Sequence, residues 1–339
     1  MAGASPFTND TVMPRAVLAH GSSVTTLSGS TERTGTRRLR PDHPVDLRRT
    51  LRPIGHGALD PTLRVHDEQG TLALRTPAGP ATLHLATEPG SGEIVATAWG
   101  AGTDWALDRA AAVAGCEDHA TDFAPADRRI GELWRRHPGI RMGHTGLVTA
   151  ALLAVVPGQR VTTDDAARSF RAVVRRWGEP APGPALVADG LWVQPDPAVL
   201  ARLPYAELHP LGIERRRAET LRRIAASSTR LDALAEPGVP AAEARRRMAL
   251  LPGVGPWTVG LAAAVALGDP DAVAVGDLHL KDIVCWLLAG EPQGTDERML
   301  ELLAPYAGHR GRVCRLAVIA GGAPRRRGPG RRNPRISRL

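Results

Sequence analysis

Two rhythms of apolar residues divide the chain. From Val45 to about Phe123 they alternate in short runs: Thr62–His66 and Thr71–Thr76 flank the turn Asp67–Gly70, and Ala81–Ala86 and Glu93–Ala98 flank Pro89–Gly92. Period-two alternation punctuated by Gly, Pro and Asp predicts antiparallel hairpins. Helical candidates at Pro44–Leu51 and Asp104–Ala114 border them, so a sheet backed by helices is expected. From about Pro125 the spacing turns helical: Arg128–Arg136, Thr145–Val155, and a segment opened by Thr162–Asp165 that runs through Trp177. Pro197–Ala201 and Tyr205–Leu208 begin further turns. Glu214–Ser227 directs Leu221, Ile224 and Ala225 to a core and its arginines to the other side. Ala241–Leu250, Pro256–Leu267, Asp282–Leu288, Glu297–Leu303 and Arg310–Ile319 complete the set. The predicted fold class is α+β: an N-terminal antiparallel β-sheet domain with helices over 43–124, then an all-α domain over 125–322. Residues 1–42 are polar and without period, and are expected to be disordered. Residues 323–339 form an arginine-rich tail, either a solvated end or a source of nonspecific phosphate attraction.

One junction in the helical half carries chemistry. Ala244–Leu250 reads as a helix end with Arg245, Arg246 and Arg247 solvated and Met248, Leu250 and Leu251 inward; Pro252 cannot continue it. Gly253 and Gly255 permit backbone conformations that side chains disfavour, and Pro256 suits the first turn of the next helix. Such a turn is either an ordinary helix–helix connection or a cluster of backbone N–H groups aimed at a phosphate oxygen. Asp269-Pro270-Asp271 then turns the chain, Ala272–Val275 is apolar, and Gly276-Asp277 opens a helix over Leu278–Leu288. Asp277 falls at or beside an N-cap, which by itself would explain an aspartate there.

Charge and composition narrow the partners. The 339 residues carry a net charge of +8 and a pI of about 10.6, which suits a polyanion. Of the 43 basic residues only Lys281 is lysine, and an arginine excess beside abundant Ala, Gly and Pro also follows from a GC-rich genome. The three cysteines, Cys116, Cys285 and Cys314, are too few and too scattered for a four-cysteine cluster or a disulfide framework. No apolar run reaches transmembrane length, and the N-terminus lacks a secretory pattern, so a cytoplasmic, nucleoid-associated location is expected.

The motif Leu250-Leu251-Pro252-Gly253-Val254-Gly255-Pro256-Trp257-Thr258, followed by Ala272-Val273-Ala274-Val275-Gly276-Asp277-Leu278-His279-Leu280-Lys281, resembles the helix-hairpin-helix base-excision DNA glycosylases. Within them it is similar to the alkylation-repair branch, 3-methyladenine DNA glycosylase II. The likeness extends from about Asp127 to Gly321 through His137–Arg141, Pro157–Thr162 and Pro305–Arg312. It implies a monofunctional DNA glycosylase that flips out and excises alkylated purines from double-stranded DNA, with Asp277 as the catalytic carboxylate. Gly253, Val254, Gly255 and Thr258 would meet the DNA backbone. Gln159 and Arg160 lie in the segment that carries the intercalating side chain, where the best-known pattern has an apolar residue at the place of Arg160. Trp257, Leu261, Leu278 and Val318 match the walls of the base pocket, which in the family holds more aromatics. Trp257 also stands where strand-cutting members carry a lysine. The carbonyls of Ala249, Leu251 and Val254 match those that hold a sodium or potassium ion; no other cofactor is implied, and a monomer is expected.

The residues support that chemistry. Breaking an N-glycosidic bond develops positive charge on the sugar, which a carboxylate stabilises while it orients or deprotonates water. A base alkylated at N3 or N7 already carries positive charge, so it departs with little acid assistance. Two rival readings stay open at this point: a glycosylase for deaminated or oxidised bases, and a noncatalytic damage-binding protein. His279 and His309 flank the region as packing or surface histidines rather than acids.

Overall fold

The computed structural model describes residues 33–125 and 127–320. The alternating runs form one antiparallel sheet of five strands, β1 (Thr34–Leu39), β2 (Leu63–His66), β3 (Gln69–Thr76), β4 (Gly79–Thr87) and β5 (Ile94–Trp99), in the order β1-β5-β4-β3-β2. The first hairpin closes with His66 opposite Gln69, and Asp67 takes the left-handed backbone (φ 30°) that a tight turn demands. Leu72, Leu74, Leu83, Leu85, Ile94 and Ala96 bury one face against helices Leu47–Leu51, Thr103–Asp108 and Ala110–Ala114. Part of the other face is covered by residues 180–194: Arg75 donates to the Gln194 carbonyl at 3.0 and 2.9 Å, and Thr82 Oγ1 to that of Pro182 at 2.5 Å.

Strand β1 falls inside the segment expected to be disordered. Gly35, Arg37 and Leu39 share its helix-facing side and only Leu39 is buried, so the alternation shows a single apolar side chain. Gly35 lies against Leu107, where a Cβ would come within 2.8 Å of Leu107 Cδ1, and Arg37 pairs with Asp108 at 2.7 Å. Residues 1–32 of that expected segment, and the arginine-rich tail over 323–339, lie outside the described residues.

The helical half has two large cores. In the first, Val148, Leu152, Leu221 and Ile224 pack with Met248, Val254, Val259 and Ala266 of the glycine hairpin. The second gathers Ile130, Ile140, Val284, Cys285, Met299, Leu303, Val313 and Leu316. Sheet and helices also share a core, since Leu147, Ala150 and Val265 pack with the sheet's leucines. Arg312, only 1% exposed, closes this join by donating to both carboxylate oxygens of Asp118 at 2.8 and 2.6 Å. Among the described residues no helix is long and apolar enough to cross a membrane.

Candidate active site

The chain crosses from one helical core to the other between Asp269 and Leu280. Ala272 belongs to the hairpin's core, whereas Val273 and Leu280 pack on the second. Two glycines let this crossing pass. A Cβ on Gly260, in helix Pro256–Ala266, would overlap the Val273 carbonyl, and one on Gly311, in helix Arg310–Ala320, would overlap that of Ala272. Acidic side chains tie the crossing to both sides: Asp269 pairs with Arg245, and Asp271 accepts from Arg310 Nε at 2.8 Å and Gly308 N at 2.9 Å. Asp277 therefore emerges at the seam between the cores.

Its carboxylate is oriented from three directions. Oδ1 accepts the backbone N–H groups of His279 at 2.9 Å and Leu280 at 3.0 Å, and Oδ2 accepts the indole N–H of Trp257 at 3.0 Å. The following helix starts at Leu280 rather than Leu278, so Asp277 precedes the N-cap residue His279 and closes a turn ahead of the helix. Gly276, at φ 94°, is held by Asp296 Oδ1, which accepts its N–H at 3.1 Å. Asp296 had no signal beyond that of a first-turn acid.

The hairpin consists of helices Ala241–Ala249 and Pro256–Ala266. Its two glycines serve different needs. Gly253 has φ 94°, and a Cβ there would overlap Thr220 Oγ1, so the fold itself requires glycine. Gly255 has φ −94°, a conformation open to any residue, and a Cβ there would meet nothing within 4 Å. The expectation that both glycines serve backbone conformation thus holds only for Gly253. No side chain caps the second helix, which leaves first-turn N–H groups beside an open surface. Leu250, expected inward, is 72% exposed because the helix has ended at Ala249 and the chain is already turning. Arg245, expected in solvent, is half-buried against Asp269.

The loop Pro157–Arg160 is locked against this hairpin. Gln159 Nε2 donates to the Gly253 carbonyl at 2.9 Å and to Thr258 Oγ1 at 3.0 Å. Two of the side chains expected to meet DNA, Gln159 and Thr258, are thus engaged with each other. From behind, the buried guanidinium of Arg217 donates to the Pro157 carbonyl at 2.7 Å and that of Gly212 at 3.0 Å. Arg217 corrects the expectation that the arginines of its helix all face away from the core; burial pushes its pKa down. A Cβ on Gly158 would come within 3.3 Å of Trp257 Cη2. The indole thus reaches from the loop to Asp277.

Of the other expected pocket residues, Leu261 is half-buried, while Leu278 and Val318 are 60% and 53% exposed. The exposed His279 contributes its backbone N–H to Asp277, and the buried His309 packs its ring 5.0 Å from that of Phe123. At the hairpin turn the Leu251 carbonyl accepts the Val254 N–H at 3.0 Å and keeps one lone pair.

A hairpin joined through an indole to an aspartate at a core-to-core crossing defines a class. Residues 153–307 match the model of the HhH-GPD superfamily base excision DNA repair protein. Over those residues the chain is similar to that helix-hairpin-helix superfamily. It is 31% identical over 158 residues to a Mycobacterium tuberculosis protein described as "Probable bifunctional transcriptional activator/DNA repair enzyme AlkA", which covers 46% of this chain and 30% of that protein. The chain spans about a third of the length of the curated relatives it matches. In fold it is similar to the 3-methyladenine DNA glycosylase from Archaeoglobus fulgidus, with a TM-score of 0.68 at 20% identity over 83% of this chain and 97% of that one. It is also similar to the 8-oxoguanine glycosylase/lyase of Clostridium acetobutylicum, with a TM-score of 0.64 at 10% identity over 86% and 96%.

Proposed function

We propose that this protein is a monofunctional DNA glycosylase that excises alkylated purines, such as 3-methyladenine, from double-stranded DNA. The observation that carries the reading is the Asp277 carboxylate, fixed by Trp257, His279 and Leu280 beside a hairpin whose second helix has no side-chain cap.

Each part has a task. First-turn N–H groups of helix Pro256–Ala266 take a phosphate oxygen, and the bare Cα of Gly255 lets the backbone come close. The target nucleotide leaves the stack and places its sugar by Asp277. The three fixed donors occupy both lone-pair sites of Oδ1 and one of Oδ2, so Oδ2 keeps a free lone pair to orient the attacking water while the carboxylate's charge stabilises the developing sugar cation. With tryptophan at position 257 the hairpin offers no amine, and the only lysine, Lys281, follows Asp277 on the next helix. Water is accordingly the nucleophile and no Schiff base forms. The carbonyls of Ala249, Leu251 and Val254 would hold a sodium or potassium ion, which would add positive charge where the phosphate docks. We read the protein as a cytoplasmic, nucleoid-associated monomer that needs no further cofactor.

Leu261, Leu278 and Val318 carry no polar group that could bond to a base edge, so selectivity rests on the weakened glycosidic bond of a charged base. Purified protein should release 3-methyladenine and 7-methylguanine from methylated duplex DNA much faster than hypoxanthine, uracil or 8-oxoguanine from defined duplexes. Equal rates for hypoxanthine and 3-methyladenine would favour a deaminated-base enzyme. Tight lesion binding with no release of any base would leave a damage-binding protein.

A further inference from the structure

Outside the hairpin, two imidazoles and a carboxylate converge where the sheet meets its helices. Asp42 and His43 lie between β1 and helix Leu47–Leu51, and His119 follows helix Ala110–Ala114. One ligand atom from each lies within 4.8 Å of the others. The Nδ1 atoms of His43 and His119 approach the same oxygen, Asp42 Oδ1, at 2.6 and 3.4 Å. Their rings stand edge to face, with centroids 5.3 Å apart at 81°. On its far side, His43 Nε2 is 3.5 Å from the Gly115 carbonyl. A neutral imidazole has one proton, yet both nitrogens of His43 face acceptors. With the proton on Nε2, the Nδ1 lone pair points at the Asp42 carboxylate, an arrangement that a cation between them resolves. Each carrier is also anchored by its neighbours. Gly115, at φ 78°, would bring a Cβ within 2.5 Å of Arg141 Cβ, which fixes where its carbonyl stands. Beside His43, the Pro44 carbonyl accepts from Arg141 Nε at 3.0 Å. Beside His119, Asp118 is gripped by the buried Arg312, and Ala120 takes a left-handed backbone at φ 48°, uncommon for alanine.

We propose that Asp42, His43 and His119 bind a divalent metal ion of the zinc type, which clamps the chain after β1 to the loop after helix Ala110–Ala114. Two imidazole nitrogens and one carboxylate oxygen suit zinc, whereas magnesium and calcium take oxygen ligands. Zinc holds such atoms tetrahedrally at about 2.0–2.2 Å, which sets neighbouring ligands about 3.3–3.6 Å apart. Asp42 and His119 already stand at 3.4 Å, and a small rotation of the exposed Asp42 carboxylate opens its shorter distance to His43. Both Asp42 and His119 are exposed, so water reaches the ion and completes its fourth position. The Gly115 carbonyl takes the part that outer-shell acceptors play in metal sites: it holds the Nε2 proton of His43 and so presents the Nδ1 lone pair to the ion. None of the three residues belongs to the candidate active site. The ion is a clamp on the fold near the Asp118–Arg312 join, and base release does not pass through it.

The test reads metal and melting, so it is independent of turnover and of the glycosylase reading. The full-length protein is stripped with a chelator, dialysed, and titrated with zinc chloride in competition with a chromophoric chelator; magnesium chloride is titrated in parallel. The wild type should take up one zinc ion per chain and bind magnesium far more weakly. Its melting temperature should rise with zinc and not with magnesium, because an ion held by the folded chain stabilises it. His119→Ala removes an exposed side chain and leaves the core intact. It should weaken zinc binding by at least about 10-fold, since loss of an outer-shell partner alone costs that much in metal sites. Asp42→Asn, which replaces a charged ligand by a neutral amide, should do the same, and neither variant should show the zinc-dependent rise in melting temperature. A wild type that binds zinc no more tightly than magnesium overturns the proposal, as does zinc uptake that persists undiminished in both variants.

Discussion

The indole N–H of Trp257 donates to Oδ2 of Asp277 at 3.0 Å, across 20 positions of sequence. It connects the turn proposed to grip the backbone with the group proposed to act on the sugar. Trp257 is therefore more than an aromatic wall, and its replacement would disturb the carboxylate as well as any stacking.

Asp277→Asn should reduce base release to near background while keeping most of the affinity for damaged duplex, because hairpin and cores are untouched. Single-turnover excision and anisotropy titration on the same preparation measure the two effects. Borohydride reduction during turnover should trap no protein–DNA adduct; an adduct through Lys281 would refute water as the nucleophile.

Trp257→Phe separates orientation from stacking. The ring face survives and the N–H is lost, and hydrogen bonds to charged groups are worth about 1.5–3 kcal/mol. A fall of about 10-fold or more in the chemical step, with DNA affinity nearly unchanged, is expected. A variant with full single-turnover rate would show that the indole N–H does not position Asp277.

The two hairpin glycines should respond in opposite ways. Gly253→Ala forces a Cβ into Thr220 on a left-handed backbone and should cost about 1–3 kcal/mol of stability. Gly255→Ala should melt like the wild type, because its Cβ meets nothing within 4 Å. It should nonetheless weaken binding to DNA of any sequence by a similar factor. Unchanged affinity in a well-folded Gly255→Ala protein would remove the hairpin from the DNA interface.

Acid should attack the join between the sheet and the last helix. Burial alone would raise the Asp118 carboxyl, but the hydrogen bonds and charge of Arg312, with the Met142 N–H, outweigh it and hold the group below its ordinary value. A depressed native value means fewer bound protons than in the unfolded chain. The stabilisation is complete above the ordinary carboxylate range, about pH 4, and fades as pH falls toward the native value. Asp118→Asn should destabilise by about 3–5 kcal/mol at neutral pH, because it strands the buried guanidinium of Arg312. Thermal melts should show the gap between variant and wild type closing below about pH 4; a constant gap would assign the stability to another contact.

The amino-acid sequence alone determined whatever depends on neighbours along the chain. Alternation marked β2 to β5, and Pro252, Gly253 and Pro256 marked the hairpin, because backbone restriction and side-chain period act within a few residues. The spacing from hairpin to Gly276-Asp277 was legible for the same reason. Strand β1 was not, since its helix-facing side carries Gly35 and Arg37, whose fit depends on Leu107 and Asp108. Only the tertiary structure decided which side chains the site may use. Gln159 meets Gly253 over 94 positions and Arg217 meets Pro157 over 60, so one polar residue is held inside while Arg160 is left free. Gly260 and Gly311 acquire a reason only when the crossing to Asp277 is threaded between their helices. Such outcomes follow from which faces of distant elements meet, and the energy of that meeting is absent from any local pattern.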